Sequence, residues 1–181
     1  MKLIILDRDG VINHDRDDFV KSPAEWVPIE GSLEAISMLN HGGFHVVVAT
    51  NQSGIGRGLF SMESLNAMHD KLHQLLSKVG GRVDAIFICP HTAAIGCGCR
   101  KPAPGMYRDI SQRFDARLDQ TPVVGDSLRD LEAAAAVGAE PILVRTGKGE
   151  KTLAQGGLPP GTLVFDDLAA VATFLLNREA D

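Results

Sequence analysis

The sequence is poor in the residues that hold nucleic acids. It has one tryptophan and one tyrosine, aromatics make up 5%, and acidic side chains outnumber basic ones to leave a net charge of −5. A single strand needs stacking platforms and a basic track, and neither is provided for, so no nucleic-acid partner is expected. Long apolar runs are missing too. Nothing approaches the roughly 18 residues of a membrane span, and no membrane partner is expected. The opening MKLIILDRD has one lysine and only four apolar residues before an acidic turn. It does not read as a signal peptide, and the default location is cytoplasmic. Cysteine is scarce: Cys89, Cys97 and Cys99 lie within one stretch of eleven residues. That suggests a site rather than a disulfide framework. With no repeat, low-complexity tract or linker, residues 1–181 are expected to form a single domain.

What is present is a series of short apolar runs rich in isoleucine and valine: LIIL (3–6), HVVVAT (45–50), AIFIC (85–89), PVVG (122–125), PILV (141–144) and TLVF (162–165). None alternates polar with apolar residues, the pattern of strands buried on both faces in a parallel sheet. Helical patterns lie between them, over 32–40, 61–81, 104–114, 127–138 and 167–179. Ser61 is placed to cap the second and Gly80 to stop it. Alternating strands and helices predict an α/β fold: a single Rossmann-like three-layer domain with a parallel sheet between helices. Residues 147–161, rich in glycine and proline, read as a surface connection with a helical turn.

Ligands of open α/β sheets bind beyond the carboxyl ends of the strands. After the first run come Asp7 and Asp9. After the second come Thr50, Asn51, Gln52 and Ser53. The cysteine cluster after the third leads into Arg100 and Lys101, and Asp126, Ser127 and Asp130 follow the fourth. Each alone could be a turn or a cap. Together they suit phosphoryl transfer to a carboxylate. One aspartate attacks phosphorus, and one two residues on protonates the leaving oxygen and later takes a proton from water. A hydroxyl and an ammonium hold the phosphoryl oxygens. A hard cation such as Mg²⁺ takes oxygen ligands, which Asp7 and Asp126 supply.

DRDGVIN, ATNQSGIGRG, CRKPAPGM and VVGDSLRDLEAA resemble the four motifs of the haloacid dehalogenase superfamily, in order and across nearly the whole chain. DRDG, TNQSGI-x-RG and the Cys-x-His, Cys-x-Cys-Arg-Lys-Pro pattern narrow the likeness to the histidinol-phosphate and heptose-bisphosphate phosphatase branch. The likeness is greater to the heptose enzymes, which serve lipopolysaccharide core synthesis. It implies a phosphoric monoester hydrolase acting on a small phosphorylated sugar, with histidinol phosphate as the alternative substrate. The overall likeness favours removal of the 7-phosphate from the β anomer. It also implies that Asp7 is the nucleophile, Asp9 the general acid and base, and Thr50 and Lys101 the phosphoryl-stabilising pair. The catalytic Mg²⁺ would be held by Asp7, the Asp9 carbonyl and Asp126, and Arg100 would recognise substrate. A phospho-acceptor module is the rival from another class, but it has no use for Asp9 as a proton shuttle.

Cys89, His91, Cys97 and Cys99 form a Cys-x-His-x5-Cys-x-Cys set. Three thiolates and an imidazole suit a closed, structural Zn²⁺ site, and the resembled family binds zinc here. Neither the segment after Asn13 nor that after Gly58 is long enough for an independent cap domain. Selectivity then falls to short loops, with Asp15, Asp18, Asn51, Gln52, Ser53, Arg100 and Ser127 as candidate substrate contacts, in a chain expected to be a monomer. His69 and His73, four apart without a third ligand, read as a solvated helix face, and Trp26 as a loop anchor.

Overall fold

A computed structural model describes residues 1–178. Its sheet holds β1 (Lys2–Leu6), β2 (Phe44–Asn51), β3 (Ala85–Cys89), β4 (Pro122–Gly125), β5 (Glu140–Val144) and β6 (Leu163–Phe165). All neighbours are parallel, in the order β3-β2-β1-β4-β5-β6. Every strand grows from one of the apolar runs. The helices are α1 (Ser32–His41), α2 (Ser53–Gly56), α3 (Met62–Lys78), α4 (Gly105–Phe114), α5 (Leu128–Ala136), α6 (Gly149–Gln155) and α7 (Leu168–Arg178). The helix expected to reach Glu179 is described only as far as Arg178, and Glu179 lies outside the described residues.

Because strand side chains alternate, β1 serves two cores. Ile4 and Leu6 pack among apolar side chains of α1, α3 and α7, and Leu3 and Ile5 among those of α4 and α5. This is the three-layer α/β arrangement. Among the described residues no segment folds as a separate cap. The long connection from β1 to α1 instead tucks in Trp26, which is fully buried. Lys71 holds that loop by donating to the carbonyls of Pro23 and Trp26, each at 2.7 Å.

α3 starts where its serine allows, with Ser61 Oγ accepting from the Ser64 N–H at 3.1 Å. It presents Leu65, Met68, Leu72 and Leu76 to the core. Truncating any of them to alanine would cost about 2–5 kcal/mol. His69 belongs to this buried stripe, four residues after Leu65 and three before Leu72, and is 8% exposed. The expectation of a solvated face holds for His73 and fails for His69. Residues 147–161 also do more than connect. They contain α6, whose buried Thr152 donates from Oγ1 to the Asp126 carbonyl at 2.8 Å.

Candidate active site

β1 lies between β2 and β4, where the chain switches direction across the sheet. The Asp7 N–H donates to the Val124 carbonyl at 2.9 Å, one residue past the last β1–β4 pair. A tight loop follows, closed by the Arg8 carbonyl, which accepts from the N–H groups of Val11 and Ile12 at 3.2 and 2.8 Å. The turn puts Gly10 at φ 85°, against the Asp126 carboxylate. Gly147, at φ 57°, approaches the same carboxylate oxygen and lies against Gly10. A side chain at either position would be strained by the backbone and would collide with Asp126.

A cavity of about 240 Å³ opens at this edge. Asp7, Asp9, Thr50, Lys101, Asp126 and Asp130 stand in its wall. Lys101, only 2% exposed, is its electrostatic centre. Its Nζ lies 3.1 Å from Asp7 Oδ1 and 2.6 Å from Asp130 Oδ1, and donates to the Ala49 carbonyl at 2.7 Å. Asn51 holds the lysine backbone by accepting from the Lys101 N–H at 3.0 Å and donating to its carbonyl at 3.1 Å. Burial works against the ammonium, but Asp130 and Asp7 outweigh it and hold the Lys101 pKa above its usual value.

One ammonium does not balance the carboxylates gathered here. Oxygens of Asp7, Asp126 and Asp130 lie within 4.8 Å of one another. Burial, then Asp130, pushes the Asp7 carboxyl up to about 7 against the pull of Lys101. Burial, then Asp7 and Asp130, pushes Asp126 up to about 8, although the Lys148 N–H donates to it at 2.9 Å. An all-oxygen cluster short of positive charge fits a hard divalent cation.

Asp9 lies in a different field. Burial opposes its charge, but Arg8, Asn13 and Gln52 prevail and hold its carboxyl below the usual value. Its Oδ1 accepts from Arg8 Nε and Asn13 Nδ2, both at 2.9 Å, and its Oδ2 from Gln52 Nε2 at 3.1 Å. The same Gln52 nitrogen donates to Thr50 Oγ1 at 2.9 Å.

The structure therefore brings Asp7, Asp9, Thr50, Lys101 and Asp126 to one cavity, with Asp15, Asn51, Ser53 and Arg100 also lining it. Gln52 is buried behind the wall as a brace between Asp9 and Thr50. Asp18 does not reach the cavity lining. Its side chain is 64% exposed and points away to pair with Arg16 and Lys21, while its neighbours Asp17 and Phe19 line the cavity. Ser127 is not in the lining either, and donates from N–H and Oγ to Asp130 Oδ2 at 3.1 and 2.8 Å at the start of α5. Sequence reasoning assigned no role to Asp130, though it lies one helical turn past Asp126. It also missed Arg16, Arg57, Arg129 and Lys148 at the cavity mouth. Arg57 lies over the Phe19 ring at 5.8 Å, and Lys148 reaches Asp15 at 3.4 Å. Arg57 and Arg129 stand within the motifs TNQSGI-x-RG and VVGDSLRDLEAA but were given no role there, and Arg16 and Lys148 lie in no motif and meet the others only through folding.

Beside the cavity, the cysteine cluster closes on itself. Cys89 Sγ lies 2.9 Å from Cys99 Sγ and 3.6 Å from Cys97 Sγ, and Cys97 and Cys99 are 3.5 Å apart. His91 Nδ1 is 3.7 Å from Cys89 and 3.4 Å from Cys99. A tetrahedral ion with bonds of about 2.3 Å to sulfur and 2.0 Å to nitrogen sets ligand atoms about 3.5–3.8 Å apart. Most of these distances match, so the four residues can hold such an ion. Arg100 follows directly and donates to the His91 carbonyl at 3.3 Å.

The chain matches the family described as Polynucleotide kinase 3 phosphatase over residues 2–134, and that described as HAD-hyrolase-like over residues 98–171. It is 64% identical to D-glycero-beta-D-manno-heptose-1,7-bisphosphate 7-phosphatase of Bordetella bronchiseptica, over 98% of this chain and 99% of the relative. It is 56% identical to the enzyme of that name from Neisseria meningitidis serogroup A, over 99% and 97%. The crystal structure of D,D-heptose 1,7-bisphosphate phosphatase from B. bronchiseptica, complexed with magnesium and phosphate, superposes with a TM-score of 0.97. It shares 63% identity and covers 98% of this chain and 99% of that one.

Proposed function

Because the chain belongs to the haloacid dehalogenase superfamily, in its heptose-bisphosphate phosphatase branch, we propose that it hydrolyses the 7-phosphate of D-glycero-β-D-manno-heptose 1,7-bisphosphate. The observation that carries this reading is the joining of distant motifs in one wall, with Lys101 Nζ 3.1 Å from Asp7 Oδ1 across 94 residues of sequence. A carboxylate and an ammonium so placed can engage the same phosphoryl group.

Asp7 attacks phosphorus, the ester bond breaks, and Asp9, acting through the minor protonated form that Arg8, Asn13 and Gln52 disfavour, gives a proton to the departing sugar oxygen. An aspartyl phosphate remains on Asp7. Asp9 then takes a proton from water as that water attacks phosphorus, releasing inorganic phosphate and restoring both carboxyls. Thr50 Oγ1 and Lys101 Nζ hold the phosphoryl oxygens as charge builds on them. Mg²⁺, held by Asp7, Asp126 and the Asp9 carbonyl, supplies the positive charge that the crowded carboxylates and the phosphate require. Asp130 acts through Lys101 by keeping its ammonium charged and in place.

The 7-phosphate is a primary ester on a slender arm, suited to a narrow cavity. The sugar and its remaining phosphate then lie outward among Arg16, Arg57, Arg100, Arg129 and Lys148. A locally cationic mouth on a chain of net charge −5 suits a second anionic group. Cys89, His91, Cys97 and Cys99 hold Zn²⁺ as a structural knot that aims Arg100 and Lys101. We also infer a monomer, and cysteines kept as metal ligands rather than disulfides suit a reducing compartment such as the cytoplasm.

Phosphate release should be measured with Mg²⁺ on the heptose bisphosphate, fructose 1,6-bisphosphate, histidinol phosphate and a 3′-phosphorylated oligonucleotide. The expected result is the highest kcat/KM on the heptose, with phosphorus NMR showing the 1-phosphate surviving. Preference for either of the last two substrates, or a surviving 7-ester, would overturn the proposal.

A further inference from the structure

Arg8 sits between two catalytic aspartates yet has no surface. It is 0% exposed, and its guanidinium turns back beneath the loop that its own carbonyl closes. Burying such a group costs several kcal/mol unless its donors are matched. On one side Nε donates to Asp9 Oδ1 at 2.9 Å, and Nη2 lies 2.8 Å from the same oxygen as an ion pair without hydrogen-bond geometry. On the other, Nη1 lies 3.2 Å from Nε2 of His69 in α3. A guanidinium only donates, so this Nε2 is the accepting nitrogen and the imidazole is neutral. Burial, then Arg8 and His73, agrees by pushing the His69 pKa down to about 4.

The chemistry of the acceptor matters. A carboxylate at position 69 would share the positive charge of Arg8 and weaken its hold on Asp9, and a cation would be repelled. A neutral imidazole satisfies Nη1 and leaves the whole charge facing Asp9. With Arg8 and Asn13 both on Oδ1, the Asp9 carboxyl has one fixed oxygen, and Oδ2 keeps only Gln52. Oδ2 is then the oxygen free to exchange a proton.

We propose that Arg8 and His69 are positioning residues for proton transfer, forming a buried relay from α3 that fixes Asp9 with Oδ2 toward the leaving group. This rests on the reading of Asp9 as the proton shuttle. A proton is needed most by an alkoxide leaving group and least by p-nitrophenolate, so loss of position should appear as a steeper dependence on leaving-group basicity. A general loss of structure would slow all esters alike.

The test is the single-turnover rate of ester cleavage over aryl and primary alkyl phosphates with Mg²⁺, for wild type, His69→Leu, His69→Gln, Arg8→Lys and Asp9→Asn. His69→Leu should lose about tenfold on alkyl esters and under twofold on p-nitrophenyl phosphate. Glutamine, whose Oε1 can accept from Nη1, should restore most of the loss. Arg8→Lys, which keeps a charge but cannot span both partners, should behave as His69→Leu does, and serves if the leucine variant fails to fold. Placing His69→Leu in the Asp9→Asn background should add nothing. Equal losses on both ester classes, or a loss that persists without the Asp9 carboxylate, would overturn the relay. If Asp9→Asn itself slowed both classes equally, the assignment of Asp9 would fail instead.

Discussion

Magnesium is expected to stabilise this protein more at pH 8 than at pH 6.5. The cause is the carboxylate cluster. Asp7 is raised from 3.8 to about 7 and Asp126 from 3.8 to about 8 by burial and by their neighbours. A carboxyl raised on folding binds more protons folded than unfolded between its two pKa values. Metal-free stability from this pair therefore falls as pH rises from about 4 to about 8. Binding of a cation requires both carboxyls deprotonated. At pH 6.5 it must displace a proton nearly always from Asp126 and about three times in four from Asp7; at pH 8, about half and about a tenth of the time. The ratio is about a 60-fold change in apparent affinity, or about 2 kcal/mol. For a chain of this size that corresponds to about 4–8 °C in Tm. The assay is thermal unfolding at both pH values, with and without a fixed Mg²⁺ concentration. Magnesium is removed by dialysis rather than a strong chelator, so that the cysteine site is undisturbed. His69, depressed to about 4, loses stability toward acid with or without magnesium, so it cancels in the difference. An increment equal at the two pH values, or larger at pH 6.5, would refute the reasoning.

Asp7→Asn should abolish turnover, since a carboxamide is a poor nucleophile; phosphate release within tenfold of wild type would show that another group attacks. Protein purified without chelator should carry about one zinc per chain, and Cys97→Ser should lower Tm and raise KM; metal analysis and melting curves check both. Arg100→Ala should lower kcat/KM on the heptose bisphosphate by about 10²-fold and on p-nitrophenyl phosphate by less than threefold, because only the former has a remote phosphate whose binding can orient the reacting one. Equal losses would place Arg100 on the transferring phosphate.

The six strands were legible because each is a short apolar run closed by a carboxylate, a hydroxyl, a cysteine or a turn, and the parallel sheet follows from the alternation with helices. Asp7, Thr50 and Asp126 were legible for the same reason: strand ends are fixed points, and their order on the sheet edge follows from the topology. Lys101, well past the end of β3, was legible only from its place in the order of the motifs. Side chains on loops were not. Asp15 and Asp18 look equivalent in HDRDDF, yet of the two only Asp15 lines the cavity; the loop stays at its rim through Phe19, and the Asp18 side chain alone points away to Arg16 and Lys21. His69 was misread for a different reason. A helix pattern counted on apolar residues alone leaves a histidine to solvent, although Leu65 and Leu72 bracket its position on the buried stripe. Its partner Arg8 reaches it only when the Asp7–Asn13 loop folds back across α3.

The pairing of β1 with β4 has a consequence for biogenesis. Ile5 and Leu6 pair with Val123 and Val124, so the strand carrying Asp7 is locked between neighbours only after most of the chain has left the ribosome. Until then β1 can pair with β2 but has an open edge, and Asp126 and Asp130 have yet to join Asp7. A nascent chain that already contains Asp7, Thr50 and Lys101 thus lacks the carboxylates that complete the cluster. Long-range parallel pairing of this kind also forms late and slowly. Ribosome-stalled chains ending before β4 should therefore neither gain protease resistance from magnesium nor release phosphate, while chains held clear of the ribosome through α7 should do both.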